Sequence, residues 1–242
     1  MRVALSRLLW PPGRRKPGCR FPLMPAPLII FDIDGTLTDT MDVDVECFER
    51  AVLEIVGVEI PPSWSEFDEV TDPAIVETTC RLLGRPVPDE KTLRLAAQRT
   101  GELLNEALAT APGRFSPIRG ATTVFERLRS AGCRVAMATR AWRPSAEVKL
   151  RGAGIADPGA PLATSSEHRA RAAIIREAAT RAGGLEGAVS VYVGDGVWDG
   201  RAALELGLRF VGVGTGDRAE KLRDVGADVV VPDLMDAAPL IA

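Results

Sequence analysis

Six oxygen-bearing side chains stand where, or shortly after, apolar runs of this 242-residue chain stop. The stretch LIIFDIDGTLTDT (28–40) carries Asp32, Asp34 and Asp39 directly behind four apolar residues. The run VAMAT ends in Thr139, and VYVGDGVWDG carries Asp195 and Asp199. Carboxylates at the end of a buried run are costly without compensation. Clustered carboxylates also repel until one takes up a proton or a cation sits among them. With no His or Cys nearby, an all-oxygen set suits a hard cation such as Mg²⁺. A Mg²⁺ that shares its coordination with substrate phosphate oxygens would answer the charge problem.

Something must bring those run ends together. Candidate strands are 28–33, 133–139, a weak 161–165, 189–195, 209–214 and 227–231. Helical patterns fall between them at 120–131, 143–153, 168–182, 198–206 and 216–225. Near-continuous apolar strands alternating with helices predict a parallel sheet covered on both faces, an α/β Rossmann-like doubly wound core. Such sheets bind ligands at the carboxyl ends of their strands. The alternation breaks once, because 42–112 holds helical patterns and no convincing strand. We expect a core formed by 25–41 and 116–242, with 42–115 inserted as an α-helical cap domain.

The order of these pieces resembles the haloacid dehalogenase superfamily, in its phosphatase-type members with a helical cap after the first motif. DIDGTLTD (32–39) matches DxDGTxxD, Thr139 matches the strand-ending Thr or Ser, and GDGVWD (194–199) matches the acidic GDxxxD motif. The resemblance implies that Asp32 is the nucleophile, forming an aspartyl-phosphate. It implies that Asp34 protonates the leaving oxygen and then activates water. Asp32, the carbonyl of Asp34, Asp195 and Asp199 would hold Mg²⁺, and Thr139 would donate to a phosphoryl oxygen. Gly35 would turn the chain, leaving its N–H and that of Thr36 for phosphate, and Asp39 would fix the turn toward the cap. Asp34 favours phosphate esters over halides, since an alkoxide leaving group needs a proton and a halide does not.

Two features depart from the family pattern. The third motif is a basic residue, usually Lys, but SSEHRARAAIIREAATRAG offers only Arg169, Arg171 and Arg176. Arg171 opens the helical run and is the first choice, with Arg169 behind it; guanidinium keeps the charge and changes the geometry. After Thr139, Arg140 and Trp142 either line the site or cap the next helix. In the cap, Thr71 and Asp72 either face the substrate or serve a helix start, with Asp72 as N-cap before Pro73. His168 is expected to be structural, and Trp64 and Phe67 to pack the cap.

Bulk properties narrow the partners. Residues 1–23 carry Arg2, Arg7, Arg14, Arg15, Lys16 and Arg20 and no acid, so the rest holds 24 of the 30 basic and all 33 acidic residues. So acidic a body is a poor binder of nucleic acid. No apolar run approaches the roughly 20 residues of a membrane span. Four scattered cysteines and one histidine disfavour zinc and disulfides, which suits a reducing, cytoplasmic setting. Residues 1–24, basic and Pro-rich, are expected to be a disordered extension, with Met24 an alternative start. The expected partner is a small phosphorylated metabolite, and the residues do not separate a monomer from a homodimer. The expected function is Mg²⁺-dependent phosphomonoester hydrolysis of the phosphoglycolate, sugar phosphate or nucleotide class. The alternatives are a phosphomutase of the β-phosphoglucomutase kind and an idle binding protein of the same fold.

Overall fold

A computed structural model describes residues 26–64, 67–155, 159–186 and 189–241. The extension at 1–24 lies outside them. Six strands form one parallel sheet: β1 (Leu28–Phe31), β4 (Arg134–Thr139), β5 (Leu162–Thr164), β6 (Ser190–Gly194), β7 (Arg209–Val213) and β8 (Val229–Val231). Their order is β5-β4-β1-β6-β7-β8. The chain winds outward from β1 through β4 to β5, then crosses back to β6 on the other side of β1. That reversal opens a crevice at the carboxyl ends of β1, β4 and β6.

Both sheet faces are buried because the strand residues alternate between two cores. Ile29, Phe31, Val135, Met137, Val191 and Val193 face one core, shared with α4 (Ala121–Ser130), α5 (Arg143–Gly152) and α9 (Ala238–Ile241). Leu28, Ile30, Ala136, Ala138, Tyr192 and Phe210 face the other, shared with α6 (Arg171–Arg181), α7 (Val197–Glu205) and α8 (Gly216–Asp224). The doubly wound reading of the sequence therefore stands. Every expected core strand and helix is present, mostly shortened by one to three residues at an end where fraying is usual.

Between β1 and α4 the chain forms a short antiparallel ribbon, β2 (Thr38–Asp39) with β3 (Ser116–Pro117). At two residues each, these strands leave no hydrophobic alternation to read. The ribbon brackets α1 (Met41–Val56), α2 (Asp72–Leu82) and α3 (Glu90–Thr110). Phe48, Val52, Ile75, Val76, Cys80, Leu93 and Ala96 make a core of their own that also takes in Trp142 from the start of α5. A second cluster joins Val43, Cys47, Ala51 and Leu104 to Val148 of α5. Gly101 lets α3 approach closely, since a Cβ there would lie 2.7 Å from Cβ of Pro144. Cys47, Cys80 and Cys133 are buried free thiols.

Candidate active site

Asp32 follows β1, and its N–H donates to the carbonyl of Val193 (2.9 Å), which ties the strand end to β6. Asp195 follows β6, and Asp199 lies in the first turn of α7. All three are buried, and one carboxylate oxygen from each lies within 4.8 Å of the others. The Asp199 Oδ2 accepts from Gly196 N–H (2.9 Å). Among the described residues, Asp32 Oδ1 and Asp199 Oδ1 accept no hydrogen bond of good geometry.

Arg171, the first residue of α6, is the cation that meets this cluster. Its Nη2 pairs with Asp32 Oδ1 (2.9 Å) and with Asp199 Oδ1, and donates to Tyr192 Oη (3.3 Å). The Tyr192 hydroxyl in turn donates to the carbonyl of Ala138 (3.2 Å). Arg171 Nε and Nη1 are buried donors with no acceptor among the described residues. Arg218 pairs with Asp195 (3.0 Å) from the half-exposed start of α8.

These charges do not balance. Burial pushes Asp32 well above the usual carboxylate range; Arg171 opposes the rise, and Asp199 and Asp195 add to it. Burial, reinforced by Asp199, raises Asp195 to about 7 against the pull of Arg218 and Arg171. Protonation at those positions relieves like-charge crowding. A hard cation would relieve it too, and the all-oxygen donor set, with three buried carboxylates facing the single guanidinium of Arg171 and the half-exposed one of Arg218, fits one.

Asp34 sits in different company, although only two residues away. Thr40 Oγ1 donates to its Oδ1 (2.8 Å), and Lys149 Nζ donates to its Oδ2 (2.6 Å). Lys149 also pairs with Asp44 Oδ1 (2.8 Å), and Arg140 reaches Asp44 Oδ2 (3.3 Å). Arg140 further donates to Asp72 Oδ1 (2.9 Å), while Trp142 N–H donates to Asp72 Oδ2 (2.8 Å). The guanidinium lies over Trp64, 5.2 Å from the ring centroid. Burial raises Asp34, but Lys149 and Arg140 outweigh it, and the carboxyl ends below its usual range. Asp72 goes the other way, raised to about 7 by burial and by Asp44 against Arg140.

Three carboxylates share two cations in this buried network, so removing a cation leaves an orphaned charge. Arg140→Met should destabilise the fold by about 3–5 kcal/mol, the usual cost of breaking a buried pair from one side. Urea unfolding would measure it, and a loss below about 1 kcal/mol, typical of an exposed pair, would contradict it.

The remaining expectations divide. Thr139 ends β4 fully buried, and its Oγ1 accepts from Ala141 N–H (3.2 Å), leaving its own hydrogen to donate. Gly35 has φ 73°, and a Cβ there would stand 2.1 Å from Asp195 Oδ2, so only glycine fits. Its N–H is not free for phosphate: it donates to the Thr38 carbonyl (2.7 Å), because the turn closes on itself. Thr36 N–H is likewise turned to Ile33 (3.3 Å), while its buried Oγ1 has no partner among the described residues. Asp72 is the first residue of α2 rather than its N-cap; that place falls to Thr71. The Asp72 carboxylate is drawn to Arg140, and Thr71 Oγ1 donates to the carbonyl of Arg169 (2.6 Å). Arg169 pairs with Glu77 (2.9 Å) and Glu90, both on the helical segment, and Arg176 is exposed. His168 Nε2 lies 3.9 Å from a carboxylate oxygen of Glu177. Asp39 is exposed on β2, opposite Ser116. Asp44, Lys149 and Tyr192 were not singled out by motif, yet all three are buried partners of the site.

The haloacid dehalogenase-like hydrolase family matches residues 26–207. The chain belongs to that family. It is similar to a probable phosphatase, IndB, of Dickeya dadantii, at 25% identity over 85% of this chain and 89% of that protein. Its fold is shared with a hydrolase from Pseudomonas syringae (TM-score 0.67, 21% identity, 86% of this chain and 94% of that one). It is shared as well with CbbY from Rhodobacter sphaeroides in complex with phosphate (TM-score 0.64, 21% identity, 87% and 96%). As a member of the haloacid dehalogenase-like family the chain is a hydrolase. No helix among its described residues is long and apolar enough to cross a membrane.

Proposed function

We propose that this haloacid dehalogenase-like hydrolase is a Mg²⁺-dependent phosphatase that cleaves a small phosphomonoester through an aspartyl-phosphate on Asp32. One observation carries the reading: two carboxylates at one strand end are kept in separate electrostatic company. Asp32 stands against Arg171 and the acid cluster, whereas Asp34 stands against Thr40 and Lys149. Carboxylates with different neighbours can carry different tasks, Asp32 as nucleophile once a cation replaces its proton and Asp34 as proton carrier.

In this reading an Asp32 oxygen attacks phosphorus; Asp34, ionised beside Lys149 and Arg140 in the resting site, takes up a proton as the ester binds in its monoanionic form and passes it to the departing ester oxygen. Asp34, then a carboxylate, takes a proton from the water that attacks the acyl phosphate, releasing phosphate and restoring Asp32. The Thr139 hydroxyl and the unpartnered Nε and Nη1 of Arg171 are donors for the phosphoryl oxygens, where charge-assisted bonds count most. Asp32, Asp195, Asp199 and the Asp34 carbonyl would hold Mg²⁺, which supplies positive charge for the phosphoryl group and the acids around it. Arg140, Thr71 and Asp72 spend their polar atoms on protein partners. We assign them to fastening the helical segment, as a cap, to the loops that carry Thr139 and Arg171.

The similarity to a probable phosphatase and the fold shared with a phosphate-bound protein support this reading. A panel of phosphoglycolate, ribose 5-phosphate and nucleoside monophosphates, assayed with Mg²⁺ and with EDTA, tests it. Stoichiometric free phosphate that disappears with EDTA is the expected result. Phosphate retained on an isomerised sugar would point to a mutase instead, and no turnover of any ester would sink the reading.

Protons and Mg²⁺ should compete. Asp195, raised to about 7, holds a proton below that pH that a cation must displace. The apparent Mg²⁺ affinity is therefore expected to fall as pH drops through about 7, by about tenfold per unit for each proton displaced. Mg²⁺ titrations of thermal unfolding at several pH values measure this. A midpoint that does not move with pH would contradict the proton load.

A further inference from the structure

We infer that Lys149 is a positioning residue for the reaction, holding the Asp34 carboxylate where it can exchange a proton with the leaving oxygen, with Asp44 of α1 as its anchor. The inference rests on the phosphatase reading above, which gives Asp34 its role.

The geometry is specific. Lys149 is fully buried on α5, with its ammonium 2.6 Å from Asp34 Oδ2 and 2.8 Å from Asp44 Oδ1. Buried lysines are rare unless paired. No other cation of the described residues lies within ion-pair distance of the Asp34 carboxylate. The opposite oxygen, Oδ1, takes the hydroxyl of Thr40, which is itself 2.7 Å from that of Thr38. Two donors from separate elements thus clamp the two oxygens and fix the plane of the carboxylate. Removing Lys149 would leave Asp34 held at one oxygen only, free to turn about the bond to its carboxylate.

The anchor matters as much as the clamp. An ammonium on a four-carbon stem can swing, and Asp44 restrains it from the far side. Asp44 is in turn held by Arg140 (3.3 Å). A relay from Arg140 through Asp44 and Lys149 therefore ends on Asp34, joining α1 and the loop after β4 to one carboxylate. Stability alone does not call for such a device, because a buried ion pair is often no better than well-packed apolar residues. Proton transfer does call for it, since a misplacement of about 1 Å can cost on the order of 10²-fold in rate.

The test compares leaving groups. Acetyl phosphate releases acetate, a stable anion that needs no proton. An alkyl phosphate releases an alkoxide, which does. kcat/KM covers the steps through departure of the leaving group, so it isolates proton delivery. For the alkyl phosphate that the panel identifies, Lys149→Met should lower kcat/KM on the order of 10²-fold, within the range that acid catalysis supplies. For acetyl phosphate it should be nearly unchanged. Lys149→Arg should restore part of the loss, and Asp44→Asn should show a smaller loss with the same selectivity. If Lys149→Met does not fold, Asp44→Asn carries the comparison, because Lys149 keeps Asp34 as a partner. An equal loss on both phosphates, or no loss on either, overturns the inference. An unsubstituted chain that turns over neither compound overturns the phosphatase reading itself.

Discussion

Asp32→Asn is expected to abolish phosphate release, by on the order of 10⁴-fold or more, as removal of a nucleophile does in enzymes that act through covalent intermediates. The reason lies in what the amide cannot do: it cannot displace an alkoxide at phosphorus, and it is a poorer partner for Mg²⁺. The fold should not suffer. Burial and the neighbouring Asp199 and Asp195 already hold the Asp32 carboxyl well above its usual range, so an uncharged group relieves crowding. Arg171 keeps Asp199 and the Tyr192 hydroxyl as partners. The metal-free variant should thus unfold at the same temperature as the unsubstituted chain or slightly higher. Turnover within tenfold of the unsubstituted chain would remove Asp32 from the chemistry. A collapse in stability would show that its charge is structural.

Asp34→Asn should behave differently, and the difference is the stronger test of the assigned roles. The amide can neither protonate a leaving alkoxide nor take a proton from water, so turnover of an alkyl phosphate should fall by about 10²–10⁴-fold. Acetyl phosphate needs no proton to leave, so it should still phosphorylate Asp32. The second step, which needs a base, should then stall. Lys149 would retain Asp44, and the amide oxygen can still accept from Thr40, so the network loses a charge without orphaning the ammonium. Equal losses in the rate at which the two phosphates phosphorylate Asp32 would show that Asp34 does not move the proton.

Much of the core is legible in the amino-acid sequence. Runs such as LIIF and VSVYVG are apolar at almost every position because both sheet faces are covered, and the residues that stop them sit at the carboxyl ends of the strands. Arg171 was legible for a related reason, as the first residue of a helix that follows a strand end. What escaped depends on contacts far apart in sequence. Asp72 reads as a helix cap until Arg140, 68 residues away, claims its carboxylate. Gly35 reads as a free phosphate donor until the turn folds its N–H onto Thr38. Asp44 and Lys149 are charged residues on helices, which ordinarily means solvent. Their spacing carried a signal nonetheless. Asp44 lies four and seven residues before Phe48 and Ala51, and Lys149 lies three after Ala146, so each falls on its helix's buried stripe. A charge on such a stripe must find a partner, and here each found the other.

The covalent intermediate is the central claim, and it is open to direct observation. The Asp34→Asn variant, mixed with Mg²⁺ and acetyl phosphate and quenched in acid, should carry one phosphoryl group by mass spectrometry. Peptide mapping should place that group on Asp32, and the Asp32→Asn, Asp34→Asn double variant should carry none. A phosphoryl group on any other residue, or one that persists in the double variant, would contradict the account.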